Sequence, residues 1–163
     1  MRLLTFRESK VDLRRIYQQR DRIDYLFECL PSAGEELERQ AHWARYLCVC
    51  VSGYLEVSIR ELLGRYTEQC ASKSISAYVW SQLKYFQNPK MEPTIQLVAS
   101  FDPAWGQSLR EFAEEERGDA VNSIVSNRNE IAHGADVGLT IARLRTWYKK
   151  TNEVLDFLIG LCK

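Results

Sequence analysis

Apolar residues recur at three- and four-residue steps along most of this chain, and that spacing predicts helices. Leu13, Ile16, Ile23, Phe27 and Leu30 form the first seam. Ahead of it, Thr5-Phe6-Arg7-Glu8 has the form of a capping box, so a long helix is expected to follow to about Leu30. Arg20 interrupts the seam. Either its stem packs while its head reaches water, or it meets RNA or a second subunit.

Pro31 ends that helix, and Ser32-Ala33-Gly34-Glu35 repeats the capping pattern before the longest one. Leu37, Ala41, Ala44, Cys48, Val51, Leu55 and Leu62 keep the stripe, with Leu47, Ile59 and Leu63 widening it. Such a face marks the central helix of a bundle, paired antiparallel with the first across a short break.

The pattern weakens between residues 71 and 119. Ile75 to Phe86 reads as a helix. Asn88-Pro89 and Glu92-Pro93 break the chain, and Glu92-Pro93 and Asp102-Pro103 each set a capping side chain before a proline. Short helices are expected near 93–101 and 103–116, in the stretch best suited to a lid or a docking platform. Ala120, Val121, Ile124, Val125, Ile131 and Ala132 then make the face of a helix that Gly134 closes. Asp136 is placed to cap the last helix, whose seam is Ile141, Leu144, Tyr148, Leu155, Leu158 and Cys162. The expected fold is all-α: one domain over residues 1–163, an up-and-down bundle of four main helices with extra short ones.

Composition narrows the partners. The 163 residues hold 22 basic and 22 acidic side chains, so attraction to nucleic acid needs a local basic patch. Arg14, Arg15, Arg20 and Arg22 on the first helix and Arg143, Arg145, Lys149 and Lys150 on the last are candidates. Tyr17, Tyr25, Trp147 and Tyr148 lie among them as stacking groups. Both runs read equally as solvated faces. The five cysteines, Cys29, Cys48, Cys50, Cys70 and Cys162, follow no disulfide or zinc spacing. With no apolar span and no signal-like N-terminus, a reducing, cytoplasmic setting without membrane partners is expected.

Chemistry concentrates in Asn127-Arg128-Asn129-Glu130-Ile131-Ala132-His133-Gly134, which contains one of only two histidines. The other, His42, stands beside Trp43 and reads as packing or a dimer contact. Asn129 and His133 share a helical face, whereas Arg128 and His133 stand about 140° apart on an ideal helix. Either the helix loosens before His133, or two chains combine their residues at a two-fold axis. Arginine grips phosphate in a fork and holds transition-state charge. Histidine, with an unperturbed pKa of about 6.5, moves protons near neutrality. RNA carries its own nucleophile in the 2′-hydroxyl, so neither metal nor cofactor is called for. The plainer account pairs Arg128 with Glu130 or Glu56 and leaves His133 as a helix-end group.

The block Arg128-Asn129-Glu130-Ile131-Ala132-His133-Gly134 resembles the RN-x-x-x-H form of the Arg-to-His motif of the HEPN superfamily. It lies late in a helical chain, before one long closing helix, as in that superfamily. Val51-Ser52-Gly53-Tyr54-Leu55-Glu56 through Leu63 also resembles its second long helix, which often carries an acidic residue. The resemblance covers roughly residues 35–160 and is nearest to the RiboL-PSP-HEPN group and one sister group. It implies a homodimer that cuts RNA without metal, leaving 2′,3′-cyclic phosphate and 5′-hydroxyl ends. Toxin–antitoxin systems, phage defence and RNA processing are the implied settings, with an antitoxin or defence protein as a further partner. Carried over, His133 transfers the proton and Arg128 holds the scissile phosphate. Asn129 orients His133 or touches RNA, and Glu56 orients Arg128 or sits in an ordinary ion pair. Some members only bind, so the alternative is a non-catalytic dimeric helical module for RNA or a partner protein.

Overall fold

A computed structural model describes residues 11–29 and 37–163. Among them run seven helices: α1 (Arg14–Glu28), α2 (Leu37–Cys70), α3 (Lys73–Leu83), α4 (Met91–Phe101), α5 (Pro103–Phe112), α6 (Glu116–Ala132) and α7 (Ile141–Leu161). The expected all-α architecture is what forms. The four long helices α1, α2, α6 and α7 make the bundle, and α3 to α5 are the short additions. The two capping boxes read at Thr5–Glu8 and Ser32–Glu35 lie outside the described residues.

α2, 34 residues long, is the axis of the fold and packs against α1, α3, α6 and α7. Its stripe of Ala44, Leu47, Cys48, Val51, Leu55, Ile59, Leu62 and Leu63 is almost wholly removed from water. Leu37, expected at the head of that stripe, is 85% exposed, so the buried face begins a turn or two later. Polar pairs along the seams show the helix directions. Arg15 meets Glu61 and Arg20 meets Tyr54, so α1 runs antiparallel to α2. Arg20 meets Asp156 and Tyr148 meets Asp24, so α1 also runs antiparallel to α7.

Arg20 fits neither expectation placed on it. Its Nε donates to Tyr54 Oη at 2.9 Å and its Nη2 to Asp156 at 2.7 Å, and Tyr54 passes its own proton to Asn152 Oδ1 at 2.9 Å. The interrupted seam is therefore a polar rung joining α1, α2 and α7, each of its half-buried groups supplied with a partner.

Several ends depart from the sequence reading because a tertiary partner intervenes. α1 starts at Arg14 and not just after Glu8. Val11 to Leu13 are non-helical, and Asp12 accepts from the Arg14 backbone N–H at 3.1 Å. α4 starts at Met91 and not at Pro93, because Asn122 of α6 accepts the Met91 N–H at 2.8 Å and supplies the missing cap from another helix. Pro93 then sits in the first turn, where no backbone donor is needed. Glu92, freed from capping, takes both guanidinium Nη atoms of Arg110 at 2.7 and 2.8 Å and ties α4 to α5. Asp102 does cap α5, as expected, but that helix stops at Phe112. At α7 the cap is Thr140, whose hydroxyl accepts from Arg143 N at 3.2 Å, and Asp136 instead pairs with Arg45 of α2.

No helix of the described residues is long and apolar enough to cross a membrane.

Candidate functional site

α6 carries Arg128 and Asn129 on its last two turns and stays helical through Ala132. It does not loosen before His133. That residue is the C-cap, and its N–H donates to Asn129 O and Glu130 O, both at 3.1 Å. The chain turns immediately afterwards. Ala135 N donates to Glu130 O and Gly134 N to Ile131 O, closing the last carbonyls in the two-bond pattern of a helix C-terminus. This needs a left-handed residue, and Gly134 supplies it with φ 78°. The glycine read as the helix stop therefore also sets His133 at the rim. Its imidazole is exposed and makes no hydrogen bond or ion pair among the described residues.

Arg128 is half-buried, and its surroundings differ from both sequence readings. Neither Glu130 nor Glu56 pairs with it. Its Nη1 donates to Asn129 Oδ1 at 3.0 Å and reaches Asn88 Oδ1 at 3.5 Å. A guanidinium has five N–H donors. The Nε and both Nη2 protons of this one meet no acceptor among the described residues, and no carboxylate neutralises it. Asn129 is thus turned to its neighbour Arg128 and not to His133, leaving its NH2 group open.

Glu56, tentatively grouped with the site, is one link removed. It pairs with Arg60 at 3.1 Å and accepts the Asn88 backbone N–H at 3.3 Å. Asn88 is the residue that sequence reasoning missed. It joins Glu56 of α2 to Arg128 of α6 from the α3–α4 connection, with φ 53°. Asparagine tolerates that left-handed backbone better than most side-chain-bearing residues. The Asn-Pro dipeptide signalled a turn, but nothing local signalled where its carboxamide would point.

The two basic runs offer little free charge. Arg14 pairs with Asp12, Arg15 with Glu61 and Arg20 with Asp156, while Lys150 lies between Glu116 and Glu153. Arg145 donates to Phe27 O at 3.2 Å and lies over the Phe27 ring. Tyr148 is core, stacked on Phe27. His42 is exposed beside Glu38, and Trp43 leans on Tyr46, its ring half-covered. The expected platform at 71–119 contains an apolar groove of about 480 Å³ between α2, α3 and α4, lined by residues that include Tyr66, Ile75, Tyr78 and Phe101. None of Glu56, Arg128, Asn129 and His133 lines it. Only Asn88 carries this region to the site.

No curated protein and no solved structure matches the chain. The family model RiboL-PSP-HEPN matches residues 14–163. With nearly the whole described fold inside that match, the chain belongs to the RiboL-PSP-HEPN family, a HEPN-type domain.

Proposed function

We propose that this protein is a metal-independent endoribonuclease whose working site is shared by two copies of the chain. The observation that carries the reading is the state of Arg128: a half-buried guanidinium without a carboxylate, steadied through Nη1, its Nε and Nη2 donors unclaimed beside an exposed histidine on the same helix end. A charge so held is unusual in a protein where most arginines are paired, and a phosphodiester satisfies it with parallel hydrogen bonds.

The chemistry is intramolecular attack by RNA. A neutral imidazole takes the 2′-hydroxyl proton as the O2′–P bond forms. The P–O5′ bond breaks, and the leaving oxygen takes a proton from an imidazolium. The products are a 2′,3′-cyclic phosphate and a 5′-hydroxyl. General acid–base catalysis of this kind contributes about 10²- to 10⁴-fold, and a donor aimed at the developing phosphorane charge about 10²- to 10³-fold. His133 is the proton-transfer group and Arg128 the charge holder; Asn129 positions Arg128, with Asn88 and Glu56 behind it. Because α6 keeps the two functional side chains about 140° apart, a second chain supports the reading: the partner subunit's His133 completes the acid–base pair. Toxin–antitoxin or phage-defence work, with an inhibitor or activator protein, belongs to the same proposal.

The test is cleavage of single-stranded RNA in EDTA, with the ends mapped for cyclic phosphate. His133→Ala and Arg128→Ala should lose at least about 100-fold in rate with unchanged circular dichroism. Equal degradation by wild type and His133→Ala would mean that another nuclease is responsible.

A further inference from the structure

Two glycines on α2 share one face, since Gly53 and Gly64 are eleven residues and about three turns apart. Gly64 has an internal reason. A Cβ there would fall inside the indole of Trp80, so the glycine lets α3 lie close against α2. Gly53 has none. Nothing stands within 4 Å of where its Cβ would be. A glycine in the middle of a long helix is destabilising unless something approaches its backbone closely. Nearby on the same outer face, Tyr46 and Val49 are 45% and 42% exposed, on a helix that otherwise buries its apolar side chains. α3 covers the C-terminal part of this face, at Gly64 and through Arg60, which reaches Lys84 O. The part around Gly53 is bare.

We propose that a second copy of this chain docks there, with the two α2 helices crossing antiparallel at Gly53; the purpose of the contact rests on the ribonuclease reading above. The residues around the glycine are self-complementary, as an isologous contact requires. With Gly53 on the axis, Val49 opposes Val57 of the partner subunit and Tyr46 opposes Arg60 of the partner subunit. One is an apolar pair, and the other sets a guanidinium on an aromatic ring. No like charges meet.

The crossing direction follows from the flanks. One flank of the bare face carries Glu56, linked through Asn88 to Arg128, and Arg45, linked to Asp136 just beyond His133. The other flank is the groove against α1, lined by Gln19 and Arg22. A two-fold axis lying in the interface and perpendicular to the helices keeps each flank on its own side. Both Arg128–His133 ends then open into one cleft. A parallel pairing would set them on opposite sides, each incomplete.

The test is the mass of the full chain in solution, by light scattering or sedimentation. Wild type should run at twice 19.0 kDa. Gly53→Arg should run as a monomer with unchanged helicity, since the position is open, and should lose RNA cleavage. Oxidising a mixture of Val49→Cys and Val57→Cys should give a covalent dimer that neither gives alone and that wild type, with its own cysteines, does not give. A monomeric wild type, a dimeric Gly53→Arg, or cross-linking of each cysteine variant with itself overturns the proposal. If Gly53→Arg stays dimeric while His133→Ala stops cleavage, the docking face is wrong and the nuclease stands. If Gly53→Arg is monomeric but wild type never cuts RNA, the face stands and the nuclease falls.

Discussion

Asn129 accepts a hydrogen bond from the residue before it: Arg128 Nη1 lies 3.0 Å from Asn129 Oδ1. This makes Asn129 a positioning residue for the guanidinium. Asn129→Ala should lower kcat for RNA cleavage by about 10- to 100-fold, the scale of a small misplacement of a reacting group. KM and the melting temperature should move little. Asn129→Asp should act differently. A carboxylate there would pair with Arg128 and compete with phosphate, so KM should rise as well. Wild-type kinetics for Asn129→Ala would show that the carboxamide has no part in aiming Arg128.

The glycine pair on α2 should respond with opposite signs. Gly53→Ala adds a methyl group to open space and should stabilise the monomer by about 1 kcal/mol. Gly64→Ala drives a methyl group into Trp80 and should destabilise by about 1–3 kcal/mol. Urea unfolding at protein concentrations low enough to hold monomers would check both, each 1 kcal/mol moving the melting temperature by about 2–4 °C.

Acid should loosen the seam between α6 and α7. The Arg117 guanidinium, donating to Glu153 at 2.7 Å, holds that carboxyl below its ordinary value of 4.5. Arg110 does the same for Glu92 between α4 and α5. The unfolded chain binds these protons more readily than the folded one, so stability increases with pH across this window. The contribution is present above 4.5 and disappears as pH falls through the lower folded values. The urea midpoint of wild type should therefore drop below about pH 4.5, and Glu153→Gln should flatten the slope. An unchanged slope would remove the Arg117 pair from the acid response.

Thiol labelling should sort the cysteines by depth. Burial pushes the Cys48 and Cys162 thiols up to about 12. They stay protonated and unreactive at pH 8, and Cys48 is further engaged with Ile124 O at 3.6 Å. Cys29 and Cys70 are exposed and should label at once with iodoacetamide. Mass spectrometry should find Cys48 and Cys162 modified only after denaturant. Early labelling of either would mean that the α2–α6 or α7 packing is looser than described here.

The apolar seams named from sequence are largely those that the structure buries. Ile16, Ile23 and Phe27, the α2 stripe from Ala44 onward, and Leu144, Tyr148, Leu155 and Leu158 all lie in one core. The helix stop at Gly134 was equally legible, because a single residue type answers a single backbone need. The caps were less so. Asp136 and Thr140 both carry a capping oxygen ahead of α7, and only the position of Arg45 decides which one is free to cap. Met91 begins α4 because an asparagine of α6 stands over it, which no local pattern announces.

By itself, then, the sequence determined the helices, their inward faces and the crowding of Arg128, Asn129 and His133 at one helix end. Those follow from burial repeated along a single chain, which the 3.6-residue period records locally. Tertiary structure alone decided what each polar group touches: Arg20 with Tyr54 and Asp156, Glu56 with Arg60, Asn88 with Arg128. The reason is physical. Apolar burial needs only a side, whereas a hydrogen bond needs one partner at about 3 Å and in line. In this fold that partner often lies tens of residues away along the chain.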